Sequence, residues 1–153
     1  MAYQKIKPQN MIEAQFRALW KDNYCKPCVI KTFDEVEVKF TESMFDHTFY
    51  ESADRKIRDK SILSLNRLEK IYWIKDTLED PEAMLKQGWD RDKKLYVNDR
   101  RVALVKCNYI VVIRFTGLLK ANFVTAYEMQ ENADKVINSP DWIPVDEFIG
   151  KKL

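Results

Sequence analysis

Tyr109-Ile-Val-Val-Ile-Arg-Phe-Thr116, Gly117-Leu-Leu-Lys120 and Ala121-Asn-Phe-Val-Thr-Ala-Tyr-Glu-Met129 make up the stretch on which the fold turns. Two runs rich in β-branched and aromatic residues flank a short loop containing glycine, which is the pattern of a β-hairpin. Upstream, residues 101–107 read as a third strand that turns at Cys107-Asn108. The expectation is an antiparallel platform of three strands over residues 101–129. Within it, Arg114, Thr125 and Tyr127 are polar among neighbours of core type.

Strand alternation and turn length together predict the two faces. A two-residue turn at Cys107-Asn108 sets Leu104 against Val111 and Arg101 against Arg114. A four-residue loop over 117–120 sets Arg114 against Phe123, Val112 against Thr125 and Ile110 against Tyr127. One face then carries Val102, Leu104, Tyr109, Val111, Ile113, Phe115, Val124 and Ala126. The other carries Arg101, Arg114, Thr125 and Tyr127 among Ala103, Val105, Ile110, Val112 and Phe123. Directly opposed arginines repel. Two readings of that pair stand: a carboxylate such as Glu35, Glu37 or Glu42 lies between them, or they await a phosphate.

Outside the platform, residues 8–22 have the spacing of a short amphipathic helix, with Phe16, Leu19 and Trp20 on its apolar side. Two short strands are expected over 28–33 and 35–40. A capped helix carrying Met44, Phe45 and Tyr50 follows. Residues 54–79 have the clearest helical period: Ile57, Ile62, Leu65, Leu68 and Tyr72 fall on one stripe. Asp80-Pro81 stops that helix. Residues 82–89 fit helix or strand equally, 90–94 form a charged turn, 95–97 a short strand, and Asn98-Asp99 a turn into the platform. A last helix is expected over 132–138. The predicted fold class is α+β, a central antiparallel sheet packed on one long helix, with the helices mainly N-terminal. With no repeat or linker in sight, residues 1–153 read as a single domain.

Composition narrows the function. A chain of 153 residues with 46% hydrophobic and 33% charged residues can build a real core and reads as a soluble globular protein. A net charge of +2 confines any phosphate-binding surface to a local patch. Three glycines leave no room for a glycine-rich nucleotide loop. No apolar run of membrane-spanning length and no signal-type N-terminus is present, so the expected compartment is the cytoplasm and no membrane partner is expected. Cys25-Lys-Pro-Cys28 has redox or half-zinc spacing, and Cys107 with His47, the single histidine, could complete a Cys3His set on paper, but nothing in the spacing supports it. The cysteines read as reduced thiols, with no metal and no cofactor.

In its sparse motifs the chain resembles the phage-associated branch of the barnase–EndoU–colicin–RelE-like nucleases. The resemblance covers residues 37–130, expected as the catalytic half. It rests on His47 in a helical N-terminal half, a basic residue on a strand, and Phe-Val-Thr-Ala-Tyr-Glu at 123–128. It implies a barnase- or RelE-like sheet and a metal-independent endoribonuclease of toxin or phage-effector type. Its partners would be RNA and a cognate inhibitor protein. By resemblance His47 is the helical catalytic histidine, Arg101 or Arg114 the strand-borne cation, and Thr125 with Tyr127 the last-strand polar pair. Glu128 should point away from that pair, so the resemblance assigns no general base.

The chemistry can be stated without the family. Attack by the RNA 2′-hydroxyl needs a base, cations on the pentacovalent phosphate and an acid for the leaving oxygen. One imidazole, arginines and Thr or Tyr hydroxyls can supply these roles without a metal. Lys106 and Lys120, at the two turns, are candidates for holding the RNA chain. Plainer readings stand beside this one. Tyr127 serves equally as a core aromatic and Thr125 as an ordinary strand residue, and the Lys93-Lys94 and Arg100-Arg101 pairs read as solvated surface. The rival functions are a non-catalytic RNA-binding or regulatory protein on the same scaffold, and a protein-binding immunity or inhibitor module.

Overall fold

A computed structural model describes residues 3–26, 29–51, 62–106, 108–129 and 134–149. A 3-10 turn at Pro8–Asn10 leads into helix α1 (Glu13–Trp20), which widens into a π-helical turn over Lys21–Cys25. The Gln15 side chain accepts the Ile12 N–H at 2.9 Å and so fixes the start of α1. Strands β1 (Ile30–Lys31) and β2 (Glu37–Lys39) precede helix α2 (Met44–Phe49). Strands β3 (Tyr50–Glu51) and β4 (Ile62–Leu63) pair with each other. Helices α3 (Leu65–Leu68) and α4 (Trp73–Glu79) come next. The meander β5 (Met84–Asp90), β6 (Leu95–Val105), β7 (Tyr109–Gly117) and β8 (Lys120–Glu128) follows. Helices α5 (Asp134–Ile137) and α6 (Asp146–Ile149) come last.

The protein is α+β, built on a six-stranded sheet in the order β1-β2-β8-β7-β6-β5. Only β2 against β8 is parallel. Among the described residues no helix is long and apolar enough to cross a membrane.

The single long helix is not what forms. Residues 54–61 lie outside the described residues, and 62–79 divide into β4, α3 and α4. Ser64 restarts the chain as an N-cap, its Oγ accepting the Arg67 N–H. Between α3 and α4 the chain advances by three-residue turns, with Lys70, Ile71 and Trp73 bonding back to Arg67, Leu68 and Lys70. Such turns preserve a near-helical spacing of apolar residues while rotating them off one stripe. Within α3, Leu68 is fully buried whereas Leu65 is 48% exposed.

The core lies on one face of the sheet, beneath α1, α2 and α4. Trp20 is its centre, with ring centroids 4.8–5.7 Å from Tyr24, Phe40, Phe49 and Phe123. The Trp20 indole N–H is satisfied by the Thr41 carbonyl at 2.9 Å. The far face carries a smaller apolar cluster, Val102, Leu104, Ile110 and Val112, flanked by Val124, Tyr127, Met129 and Val136.

Two local features set which residue faces where. Val105 pairs with Tyr109, so three residues form the β6–β7 turn, and Lys106 adopts φ 54° within it. Cys-Asn lacks the glycine a two-residue turn prefers, and the three-residue turn with one left-handed residue is the next choice. The extra residue slips β6 by one position. Arg101 therefore opposes Ile113, and Arg100 opposes Arg114. The expected facing of Arg101 to Arg114 is corrected by this register, because a one-residue slip exchanges every side chain between faces. On β8, Val112 pairs with Thr125 but Ile113 pairs with Phe123, which leaves Val124 as a bulge. The bulge turns Phe123 into the core, where it stacks on Phe40 at 4.9 Å.

Of residues 82–89, Met84 onward is strand, and 95–105 run as one long strand without the expected turn at Asn98-Asp99. Instead, Gln87 pairs with Arg101 while Gly88 pairs with Val97, so Asn98, Asp99 and Arg100 bulge out of the β5–β6 ladder. The C-terminal chain fastens this edge. Asp141 bridges to Lys86, and Asn98 makes two hydrogen bonds to the Ile143 backbone.

Candidate functional site

Arg100 pairs across with Arg114, Arg114 with Asn122, and Asn122 with Lys39. These four residues form one rung across β6, β7, β8 and β2. They share the far face. Arg114 follows Val112 in alternation, while Ala121 and Val38, the neighbours of Asn122 and Lys39, point into the core. Three of the four are cationic, and neighbouring strands lie about 4.8 Å apart. Lys120 joins the same face one step along β8. The only carboxylate within ion-pairing reach of the arginines, among the described residues, is Asp99, 3.9 Å from Arg114 Nε. The predicted repulsive arginine pair therefore exists, but with Arg100 in the place of Arg101. A sequence reading that treats Arg100-Arg101 as plain surface misses it.

Gly88 makes the rung possible. A Cβ placed there would run into the Cγ and Cδ of Arg100, whose stem lies flat over the strand. Asp90, two residues on, caps the β5–β6 turn through the Lys93 and Asp92 N–H groups. Those bonds, with Lys93 and Arg114 nearby, hold its carboxyl below the usual range.

Arg101 is a different object. It is 1% exposed on the core face and meets Asp34 through both terminal nitrogens, at 2.7 and 3.3 Å. Its guanidinium lies 4.8–5.9 Å from the ring centres of Trp142, Phe115 and Phe33. Burial by itself would raise the Asp34 carboxyl, but the hydrogen bonds and charge of Arg101 outweigh it and hold the group low. A carboxylate does accompany this arginine, but it is Asp34 rather than Glu35, Glu37 or Glu42.

The remaining predicted residues divide. Thr125 and Tyr127 share the far face with Arg114, two and four positions from Phe123 and beside Val112 and Ile110. Arg67, which sequence reading also missed, lies 5.5 Å over the Tyr127 ring and donates to the Thr48 carbonyl at 3.0 Å. Glu128 points elsewhere, as expected, 3.6 Å from the buried Lys70 ammonium. His47 is exposed in the last turn of α2, whose Phe45 and Phe49 pack into the core. The histidine's helix and Arg114 thus stand on opposite faces of the sheet. Lys106 also departs from the rung, its ammonium 5.1 Å over the Tyr3 ring.

A cleft of about 220 Å³ lies on the helical side, lined by Gln4, Asn23, Tyr24, Tyr72, Lys75 and Asp76. None of the predicted site residues borders it. Its Tyr24 hydroxyl is committed to the Ile71 carbonyl and the Lys75 N–H. Among the described residues no group of three His, Cys, Asp or Glu could hold a metal ion; Cys28 and Cys107 lie outside them. No protein-family model, curated protein or solved structure matches the chain.

Proposed function

We propose that this chain binds RNA through the far face of its sheet, with Arg100, Arg114 and Lys39 contacting successive phosphates. One observation carries the reading: three cations and an amide stand in register across four strands, with the two arginines directly opposed. Such a row is costly by itself and becomes favourable when a polyanion neutralises it. Arginine suits the role because its planar fork can grip a phosphate with two hydrogen bonds. The modest net charge of +2 fits a local patch rather than a generally basic surface.

The test is affinity for a mixed RNA pool as a function of salt. Binding through phosphates falls steeply with ionic strength, and Arg114→Ala or Lys39→Ala should each reduce the log–log slope by about 1 or slightly less. Equal slopes in wild type and both variants would refute the assignment.

A second reading, the metal-independent endoribonuclease with barnase- or RelE-like packing, is favoured by one further observation: Arg114, Thr125 and Tyr127 share a face. It would use Arg114 as the phosphorane cation and the two hydroxyls to orient oxygens; His47, whose helix packs on the other face, would move the proton only for an RNA that wraps the edge of the sheet. Incubation with tRNA, rRNA and mRNA in EDTA distinguishes the two. Cleavage lost in His47→Ala supports the nuclease, whereas retention without cleavage supports the binder.

A further inference from the structure

The β5–β6 hairpin ends in a feature that the cationic rung does not use. Trp89 pairs directly with Tyr96, their rings edge to face at 5.1 Å. Trp89 is 48% exposed, while the other tryptophans, Trp20, Trp73 and Trp142, are at most 8% exposed. A large aromatic left half in water at a strand tip is an informative exception to burial. The turn between the two strands is Arg91-Asp92-Lys93-Lys94, all four exposed. The other acidic neighbour, Asp90, is engaged in capping that turn. The aromatic pair also adjoins the rung covalently, since Gly88, over which Arg100 lies, is the residue before Trp89. Alternation puts Trp89 on the reverse side of the ribbon from Arg100.

We infer that Trp89 and Tyr96 form a base-stacking platform for single-stranded RNA that leaves the arginine rung and passes around the hairpin tip. This rests on the RNA-binding reading of the rung and goes further by naming the ligand as a flexible single strand. Every base offers a flat π-face, and an exposed aromatic beside lysines and arginine matches the combination that sequence-tolerant single-strand binders use. A rigid duplex presents no free base face and cannot turn around the tip.

The experiment uses the full chain and tryptophan emission, because Trp89 is the one tryptophan open to the solvent. Oligouridylate titrated at low salt should quench the emission, an RNA duplex of equal length should not, and Trp89→Phe should bind but lose most of the quench. Trp89→Leu should weaken oligouridylate binding about tenfold. Unchanged affinity in Trp89→Leu, with affinity still dependent on Arg114, would overturn the platform and leave the rung standing. Quenching that survives Arg114→Ala at undiminished affinity and salt slope would overturn the rung and leave the platform standing. Quenching by vesicles of phosphatidylserine and phosphatidylcholine, with none by oligouridylate, would refute the platform in favour of a membrane contact.

Discussion

Arg100 and Arg101 are joined by one peptide bond and belong to opposite faces of one sheet. Arg101 is enclosed by Asp34, Phe33, Phe115 and Trp142. Arg100 lies over Gly88 and opposes another arginine. On the core face the cation has its counter-charge built in, so removing either partner alone would strand the other. On the far face Arg114 has only the long contact to Asp99, Asp90 lies near it and Glu37 opposes Lys120, and the RNA binding proposed above would supply the remaining counter-charge. The difference teaches that a charge's role follows from what the fold supplies to neutralise it.

Removing Arg101 should produce the largest effect. Arg101→Ala leaves Asp34 without its partner and opens space between three aromatic rings, at a cost of about 3–5 kcal/mol. Urea unfolding measures it directly. A loss below about 1 kcal/mol would mean that the pair does not hold the β1–β2 turn to the sheet. The double variant Arg101→Met with Asp34→Asn should recover much of the loss, because a charge-free, similarly sized side chain no longer strands a carboxylate. The pH dependence has a defined sign. The folded-state pKa of Asp34 is depressed, so its contribution is present above the unfolded value near ~4 and is lost as pH falls through the folded value. Wild type should therefore exceed Asp34→Asn in stability at neutral pH, and the gap should close in acid. A gap that widened in acid would contradict the pairing.

Arg101 also marks where the sequence stops being legible. The strand content of 101–129, the charged turn before residue 95, and the helices around Phe16 and Phe45 follow from local pattern, which sequence carries well. Register does not. It depended on one extra residue in the turn after Val105, a length that the missing glycine favours, and on a bulge at Val124 set by packing. The bulge exists because Phe123 gains a place against Phe40 and Trp20, a long-range contact with no local signal. The division of 62–79 was hidden for a related reason, since three-residue turns mimic helical spacing. Of the site, Arg114, Thr125 and Tyr127 were legible because β7 alternates without interruption. Lys39 and Asn122 were not, since only the parallel pairing of β2 with β8 brings them into line.

Gly88→Ala tests the far face more gently. The new methyl group would overlap the Arg100 stem, so the side chain must lift off or the strand must shift, costing about 1–3 kcal/mol. Arg100→Ala in the same background should return most of that loss, because the obstacle is the arginine's own Cγ and Cδ. If Gly88→Ala is equally destabilising with and without Arg100, the glycine serves the backbone of the β5–β6 bulge instead.

The smallest change in stability, and the sharpest statement about the comparison, belongs to Arg114→Ala. Its side chain is about half exposed, and its pairing with Asp99 at 3.9 Å is long, so little is lost with it. What is relieved is the repulsion from Arg100 directly opposite, worth roughly 0.2–1 kcal/mol. The variant should therefore be as stable as wild type or slightly more so at low salt. The difference should fade as salt screens the pair. A double-mutant cycle with Arg100→Ala should give a coupling of repulsive sign. Arg114→Lys keeps the charge and so should keep wild-type stability, yet it should restore phosphate binding only in part, because an ammonium lacks the bidentate fork. Destabilisation of Arg114→Ala by more than about 1 kcal/mol would show that Arg114, like Arg101, is held by partners inside the fold. The two faces would then differ in exposure but not in purpose.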